Sequence, residues 1–249
     1  MLSCAVCIPA RLAGNRFPRK LLADLNGKTV IERTVDNVVS LVPKTWPICI
    51  MVAESDEKEI ADSLGDRVVE YGRPGGSVQV FTTPDDCPTG SDRCAYPLTS
   101  HDLTKDVMLV VQGDEPFLTR DMLIRPYRAV CIGDSVATPF ITLPSHDEDV
   151  DNRDNVKVQM DRHGRALWFH RDAITRSASH VAIHVGVYAY EASQLRHFPS
   201  IPRAELEIDQ GLEQLRLLDW NVYIRCVQCD GMPLSINTPA DLERARKIF

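Results

Sequence analysis

At 249 residues, 44% hydrophobic and 25% charged, the chain has the size and balance of one large α/β domain, which excludes a disordered or fibrous protein. Its net charge of −7 speaks against a general nucleic-acid binder, and no apolar run reaches the ~20 residues of a membrane span. The N-terminal MLSCAVCIPA has no cationic leader region, so a cytoplasmic protein is expected.

Cys4 to Ile8 reads as a short buried strand. It breaks at Pro9 into a loop carrying Arg11, Arg16, Arg19 and Lys20 around Gly14. Such a loop suits a phosphate group: the strand end fixes it, glycine permits tight turns, and N–H groups with cationic side chains meet oxygen charge. A solvated basic loop is the plainer alternative. Thr29 can cap a helix over Val30 to Val42, whose valines and Ile31 share one face. Pro47 to Ala53 is a second buried strand, Ser55 caps a short acidic helix to Leu64, and Val68 to Tyr71 is a third strand. This strand–helix alternation predicts a mostly parallel sheet with right-handed crossovers.

Gly72 to Gly76 is a turn, and Val78 to Thr82 alternates like an edge strand. In Thr89-Gly90-Ser91-Asp92-Arg93, glycine lets backbone approach a ligand while Thr89, Ser91 and Arg93 offer polar edges; a helix N-terminus is the structural alternative. Val107 to Val111 is the most hydrophobic strand and should be central. It runs into Gln112-Gly113-Asp114-Glu115-Pro116. A carboxylate just past the carboxyl end of a central parallel strand lies where open α/β sheets bind ligands, so Asp114 is a candidate Mg²⁺ ligand. Turn capping is its bland role.

Ser135 to Thr142 is a strand, Val156–Met160 and Ala166–His170 form a hairpin, and Val181 to Tyr190 is one strand carrying His184. Helices are expected at Ala192–Phe198, Glu207–Leu218 and Pro239–Lys247, with a strand at Asn221–Val227. The pairs Cys4/Cys7 and Cys226/Cys229 have zinc-like spacing. They sit in strand-like runs, where i and i+3 point to opposite faces, and read as buried thiols. Only 7 of the 28 basic residues are lysine, an arginine excess that suits anion handling or a GC-rich genome.

IPARLAGNRFPRKLL, TGSDR, VVQGDEPFL, DNRDNVKVQMDRHGRALWFHRDAI, HVGVYAYEASQLRHF, LEQLRLLDW and INTPADLERAR together resemble the Kdo cytidylyltransferase family, in order through the whole chain. That family makes CMP-Kdo from CTP and the eight-carbon sugar acid Kdo. The resemblance implies a Rossmann-like nucleotidyltransferase fold in one domain over 1–249, with 151–200 as an embedded dimerisation and acceptor segment. It also implies a homodimer using Mg²⁺. Nucleotide binding would fall to Ala10, Arg11, Gly14, Asn15, Arg16, Lys20, Thr89, Gly90, Ser91 and Arg93. Lys20, Arg11 and Asp114 would be catalytic, and Gln112, His184, Tyr188 and Gln210 would face the acceptor. Asp114 and Asn237 would hold the metal.

The chain departs from the family's pattern at Asn237 (usually Asp), Gln210 (usually acidic) and Arg19 (usually Gly), and in the short segment from Asp172 to Ile183. These changes fall on the acceptor side. They lead to an expected transfer of CMP from CTP to a small anionic acceptor, either a phosphonate such as phosphonoformate or Kdo. Alternatives are a CMP-Kdo or amino-Kdo synthetase, or a catalytically silent CTP-binding regulatory protein.

Overall fold

A computed structural model describes residues 2–14, 16–68, 78–100, 103–172 and 179–248. Strand β1 (Cys4–Ala10) is buried along its whole length and divides the core into two. Cys4, Val6 and Ile8 enter one cluster, and Ala5 and Cys7 enter the other, as the strand's period of two requires. β2 (Ile48–Ala53), β3 (Val78–Thr83) and β4 (Val107–Val111) run parallel to it, in the order β3-β2-β1-β4. β3 is the edge and β4 is interior. Val68 makes only an isolated bridge to Val78, and the rest of the third strand and turn expected over 69–77 lies outside the described residues.

Past β4 the sheet turns antiparallel. β5 (Val136–Pro144), β6 (Lys157–Met160), β7 (Ala166–His170), β8 (His180–His184) and β9 (Val187–Glu191) continue it as β4-β9-β5-β8-β6-β7. β10 (Ile224–Gln228) lies parallel to β5. The expected single strand over 181–190 is two, broken at Val185–Gly186. The register on β5 changes across the break: Phe140 faces His184, while Ala137 faces Ala189.

Helices α1 (Val30–Leu41), α2 (Glu57–Leu64), α4 (Arg120–Cys131) and α8 (Pro239–Arg246) cover one face; α3 (Gly90–Ser100), α5 (Ala192–His197) and α7 (Gln214–Asp219) cover the other. α1 begins with the capping box its sequence announces: Glu32 N donates to Thr29 Oγ1 at 3.3 Å and Thr29 N to Glu32 Oε2 at 2.7 Å. Ser55 does not cap α2; its hydroxyl donates to Asp85 Oδ1 at 3.0 Å, and α2 follows a 3₁₀ turn over Glu54–Asp56. α3 begins at Gly90, where a helix N-terminus is the structural alternative, and α4 is not expected from the sequence. The helix expected over 207–218 is two, α6 (Glu205–Gln210) and α7, split at Gly211, whose φ of 61° is left-handed. All eight cysteines are free thiols, six of them buried.

Candidate active site

A cleft of about 320 Å³ opens at the carboxyl ends of β1 and β4, and a second cavity of about 280 Å³ adjoins it. They share Arg11, Arg16, Lys20, Gln112, Asp114 and Asn237. The loop after β1 is held in shape by its own backbone and by α2's approach. Arg19 N donates to Leu12 O at 2.9 Å, and Leu12 N donates to Asp56 Oδ2 at 2.7 Å. Arg19 itself takes φ 58°, the left-handed region that favours glycine, and its guanidinium pairs with Glu59, away from the cleft.

Lys20 pairs with Asp114 across the cleft. Arg16 pairs with Asp154, and its other nitrogen donates to Asn237 Oδ1 at 3.1 Å. Two of the loop's cations, Lys20 and Arg16, therefore rest on the cleft's own oxygens. The C-terminal loop is clipped to the tip of β4 by two contacts: Ile236 N donates to Asp114 O at 2.9 Å and Ser235 Oγ to Glu115 Oε1 at 2.5 Å. Burial, then the neighbouring Asp114 charge, push Glu115 up to about 7.

On the other wall, Glu213 accepts from Ser91 N and Ser91 Oγ, both at 3.0 Å, and is 3.4 Å from Gln112 Nε2. Burial raises the Glu213 pKa. Gly90 keeps this wall close to β4: a Cβ there would lie 3.1 Å from Gln112 Nε2 and 3.1 Å from the Pro9 ring. His184 sits at 2.8 Å from Thr138 Oγ1, whose own proton goes to Val187 O at 2.7 Å, so the imidazole donates from Nε2. Burial, then Arg171, hold its pKa down to about 3, so it is neutral at pH 7. Tyr188 stays a phenol, its pKa raised by burial. Burial also lowers the Arg171 pKa; that side chain lines the cleft and donates to Gln210 O and Arg153 O.

Of the residues singled out from sequence, Arg11, Arg16, Lys20, Thr89, Gly90, Gln112, Asp114, His184, Tyr188 and Asn237 line the cleft, and Gly14 lines its extension. Four others do not. Arg93 is buried against Thr83, Pro84 and Asp85, where its charge is spent on β3 and the loop after it. Ser91 is buried behind the wall, holding Glu213. Ala10 is buried within β1. The Gln210 side chain bonds Asp209 Oδ2 at 2.7 Å, and the acidic residue in the cleft is Glu213 instead. Asn15 lies outside the described residues. Asp154, Arg171, Glu213 and Gln214 were not singled out as site residues; for the last two the signal was present, since both stand in the LEQLR stretch.

A family model described as cytidylyltransferase matches residues 5–224. The 3-deoxy-manno-octulosonate cytidylyltransferase of Chlorobium limicola is 34% identical over 256 residues, covering 100% of this chain and 98% of the relative. That of Porphyromonas gingivalis is 33% identical, covering 96% and 93%. A solved CMP:2-keto-3-deoxy-manno-octonic acid synthetase complexed with CTP superposes with a TM-score of 0.81 at 24% identity, over 99% of this chain and 98% of that one. HddC from Yersinia pseudotuberculosis superposes at 0.70 with 12% identity, over 99% of both chains, a likeness of fold. The chain belongs to the 3-deoxy-manno-octulosonate cytidylyltransferase family.

Proposed function

We propose that this cytidylyltransferase moves CMP from CTP to a sugar acid of the 3-deoxy-manno-octulosonate class. The observation that carries the reading is one continuous cleft: a cationic loop faces a carboxylate at the tip of a central strand, and a wall of hydrogen-bonding side chains stands beyond it. An acceptor oxygen forms a bond to the α-phosphorus as the bond to the bridging oxygen breaks, and pyrophosphate leaves. Positioning and charge neutralisation carry the rate in such a transfer. Lys20 and Arg11 stabilise charge on the α-phosphate, and Arg16 holds the β- and γ-phosphates. To do so, Lys20 exchanges Asp114 for phosphate oxygen, and Arg16 exchanges Asp154 and Asn237.

That exchange frees Asp114 and the Asn237 carbonyl, two hard oxygen donors on one cleft. The donor set would suit Mg²⁺, which Asp114 and Asn237 would hold together with the nucleotide's phosphates. Among the described residues no cluster of three His, Cys, Asp or Glu offers a fuller protein cage. When bound, Mg²⁺ supplies neutralising charge at the phosphates.

The case for a small phosphonate acceptor leans on Gln210 and Arg19, and neither faces the cleft. The half-buried Glu213 suits hydroxyl groups better than a second anion. We also infer a cytoplasmic homodimer with 151–200 at the dimer contact. Its support is the outermost strand β7, which carries Leu167 at 57% exposure; sedimentation at the monomer mass would remove it. Pyrophosphate release from CTP with 3-deoxy-manno-octulosonate, set against small phosphonates, tests the acceptor. Turnover of the sugar acid is expected. Turnover of phosphonoformate alone overturns the acceptor, and CTP binding with no release from any acceptor favours a non-catalytic protein.

A further inference from the structure

A lysine shut away from solvent stands behind the cleft. Lys157, the first residue of β6, is 0% exposed, and an ammonium taken out of water is a costly filler. Methionine has a similar length and would occupy the same space with no charge to bury. What the ammonium adds is donors. Its Nζ donates to Asn152 O at 2.7 Å and to Arg171 O at 3.2 Å, which joins the turn before β6 to the residue after β7. Burial lowers its pKa; Asp151 and Asp172 supply counter-charge, and Arg171 and Arg153 oppose it. Opposite it on the ladder stands His170, buried, its pKa lowered by burial and then by the Lys157 charge.

The same turn seats the Arg171 side chain. Arg171 lines the cleft, and its guanidinium donates from Nη1 to Arg153 O at 3.1 Å and from Nε to Gln210 O at 3.2 Å. Carbonyl seats of this kind hold a guanidinium in place without cancelling its charge. Lys157 therefore fixes Arg171 at both ends: at its own carbonyl, and through Asn152 at the turn on which the guanidinium rests. The turn is braced in its own right, with Asp154 N donating to Asn152 Oδ1 and Asn155 Nδ2 to Asp149 O, both at 2.9 Å. We propose that Lys157 is a positioning residue for cytidylyl transfer, holding the Arg171 guanidinium in the cleft from behind. The assignment rests on the transfer reading above, in which fixed placement of charge carries the rate.

The test is a double-mutant cycle on Lys157→Met and Arg171→Ala, read as kcat/KM for pyrophosphate release, with thermal melting as the check on folding. Lys157→Met alone should lower kcat/KM about thirtyfold, on the scale of a misplaced group. In the Arg171→Ala background the same change should cost less than about threefold, since no guanidinium is left to place. Lys157→Arg keeps a cation with donors for both carbonyls and should stay within about threefold of wild type. Losses that multiply in the double variant, or a Lys157→Met protein within about threefold of wild type, overturn the assignment. If Lys157→Met alone does not fold, Lys157→Gln takes its place in the cycle. Failure of the Met, Gln and Arg variants alike to fold makes Lys157 a scaffold residue and overturns it too. The kinetics are run on whichever acceptor the wild-type enzyme turns over, so a failed sugar-acid reading leaves the cycle intact. A wild type that releases pyrophosphate with no acceptor at all sinks the transfer reading before any variant is compared.

Discussion

Lys20 and Asp114 meet although they come from the ends of different strands, since the loop after β1 folds back over the tip of β4. If this ammonium moves to the α-phosphate during transfer, its loss removes one preorganised charge contact. Lys20→Ala is then expected to lower turnover by about a hundredfold or more. Rapid-quench assays at saturating CTP measure it, and near-wild-type turnover would contradict the role. His184 makes a different kind of prediction. Its pKa is held at about 3, below the 6.5 of an exposed imidazole, because the charged ring cannot be solvated beside Thr138 and Phe169. The unfolded chain therefore binds a proton that the folded one refuses. The stability this gives is whole above pH 6.5 and falls as pH drops toward 3, by ~1.4 kcal/mol per unit. Relative to a His184→Asn variant, the wild type should lose ~2 kcal/mol between pH 6.5 and 4.5 in urea titrations; a constant gap would show that the ring titrates normally.

The interruption between β8 and β9 shapes the end of the cleft beside Gln112 and Glu115, where the acceptor is proposed to sit. Gly186 sits at the break, and a Cβ there would lie 2.6 Å from Glu115 Oε1 and 3.2 Å from Gln112 Cγ. Gly186→Ala should push both side chains and lower kcat/KM for the acceptor more than tenfold, on the scale of a misplaced site. A change confined to CTP would refute this. The continuous apolar and aromatic run from Val181 hid the break, for periodicity does not register a bulge. α4 and the body of α3 were illegible for another reason: Pro126 and Pro97 stand inside them, and an interior proline reads as a helix breaker. The parts that were legible have local causes. Continuous burial made β1 and β4 plain, and the capping box marked the start of α1. The residues around Asp114 and Lys20 could be found because sequence alone joins a strand to its own loop. Glu213 and Gln214 stand in the LEQLR stretch, but their place in the cleft follows from the left-handed turn at Gly211 and from packing against α3, which that stretch alone does not announce.

At the scale of the whole molecule, the wall opposite the cationic loop is held together by one buried cation. Arg216, 1% exposed on α7, donates to Asp92 Oδ1 at 2.8 Å and Oδ2 at 3.0 Å, and to Glu207 Oε1 at 2.6 Å and Oε2 at 2.9 Å. Its guanidinium lies over the Phe198 ring at 4.2 Å. Asp92 in turn accepts from Thr89 at 2.7 Å, so the cation ties α3, α6 and α7 together behind residues that line this wall of the cleft. The arrangement is costly to break because Asp92 would be left buried without its counter-charge, and Glu207 would keep only that of the more exposed Arg203. Arg216→Met is expected to destabilise the fold by ~3–5 kcal/mol. Arg216→Lys should recover only part of this, since an ammonium keeps the charge but cannot fork to two carboxylates at once. Urea titrations of the three proteins measure both effects. Equal stability of the Lys variant and the wild type would mean that the charge alone matters and that the bidentate geometry does not hold the three helices together.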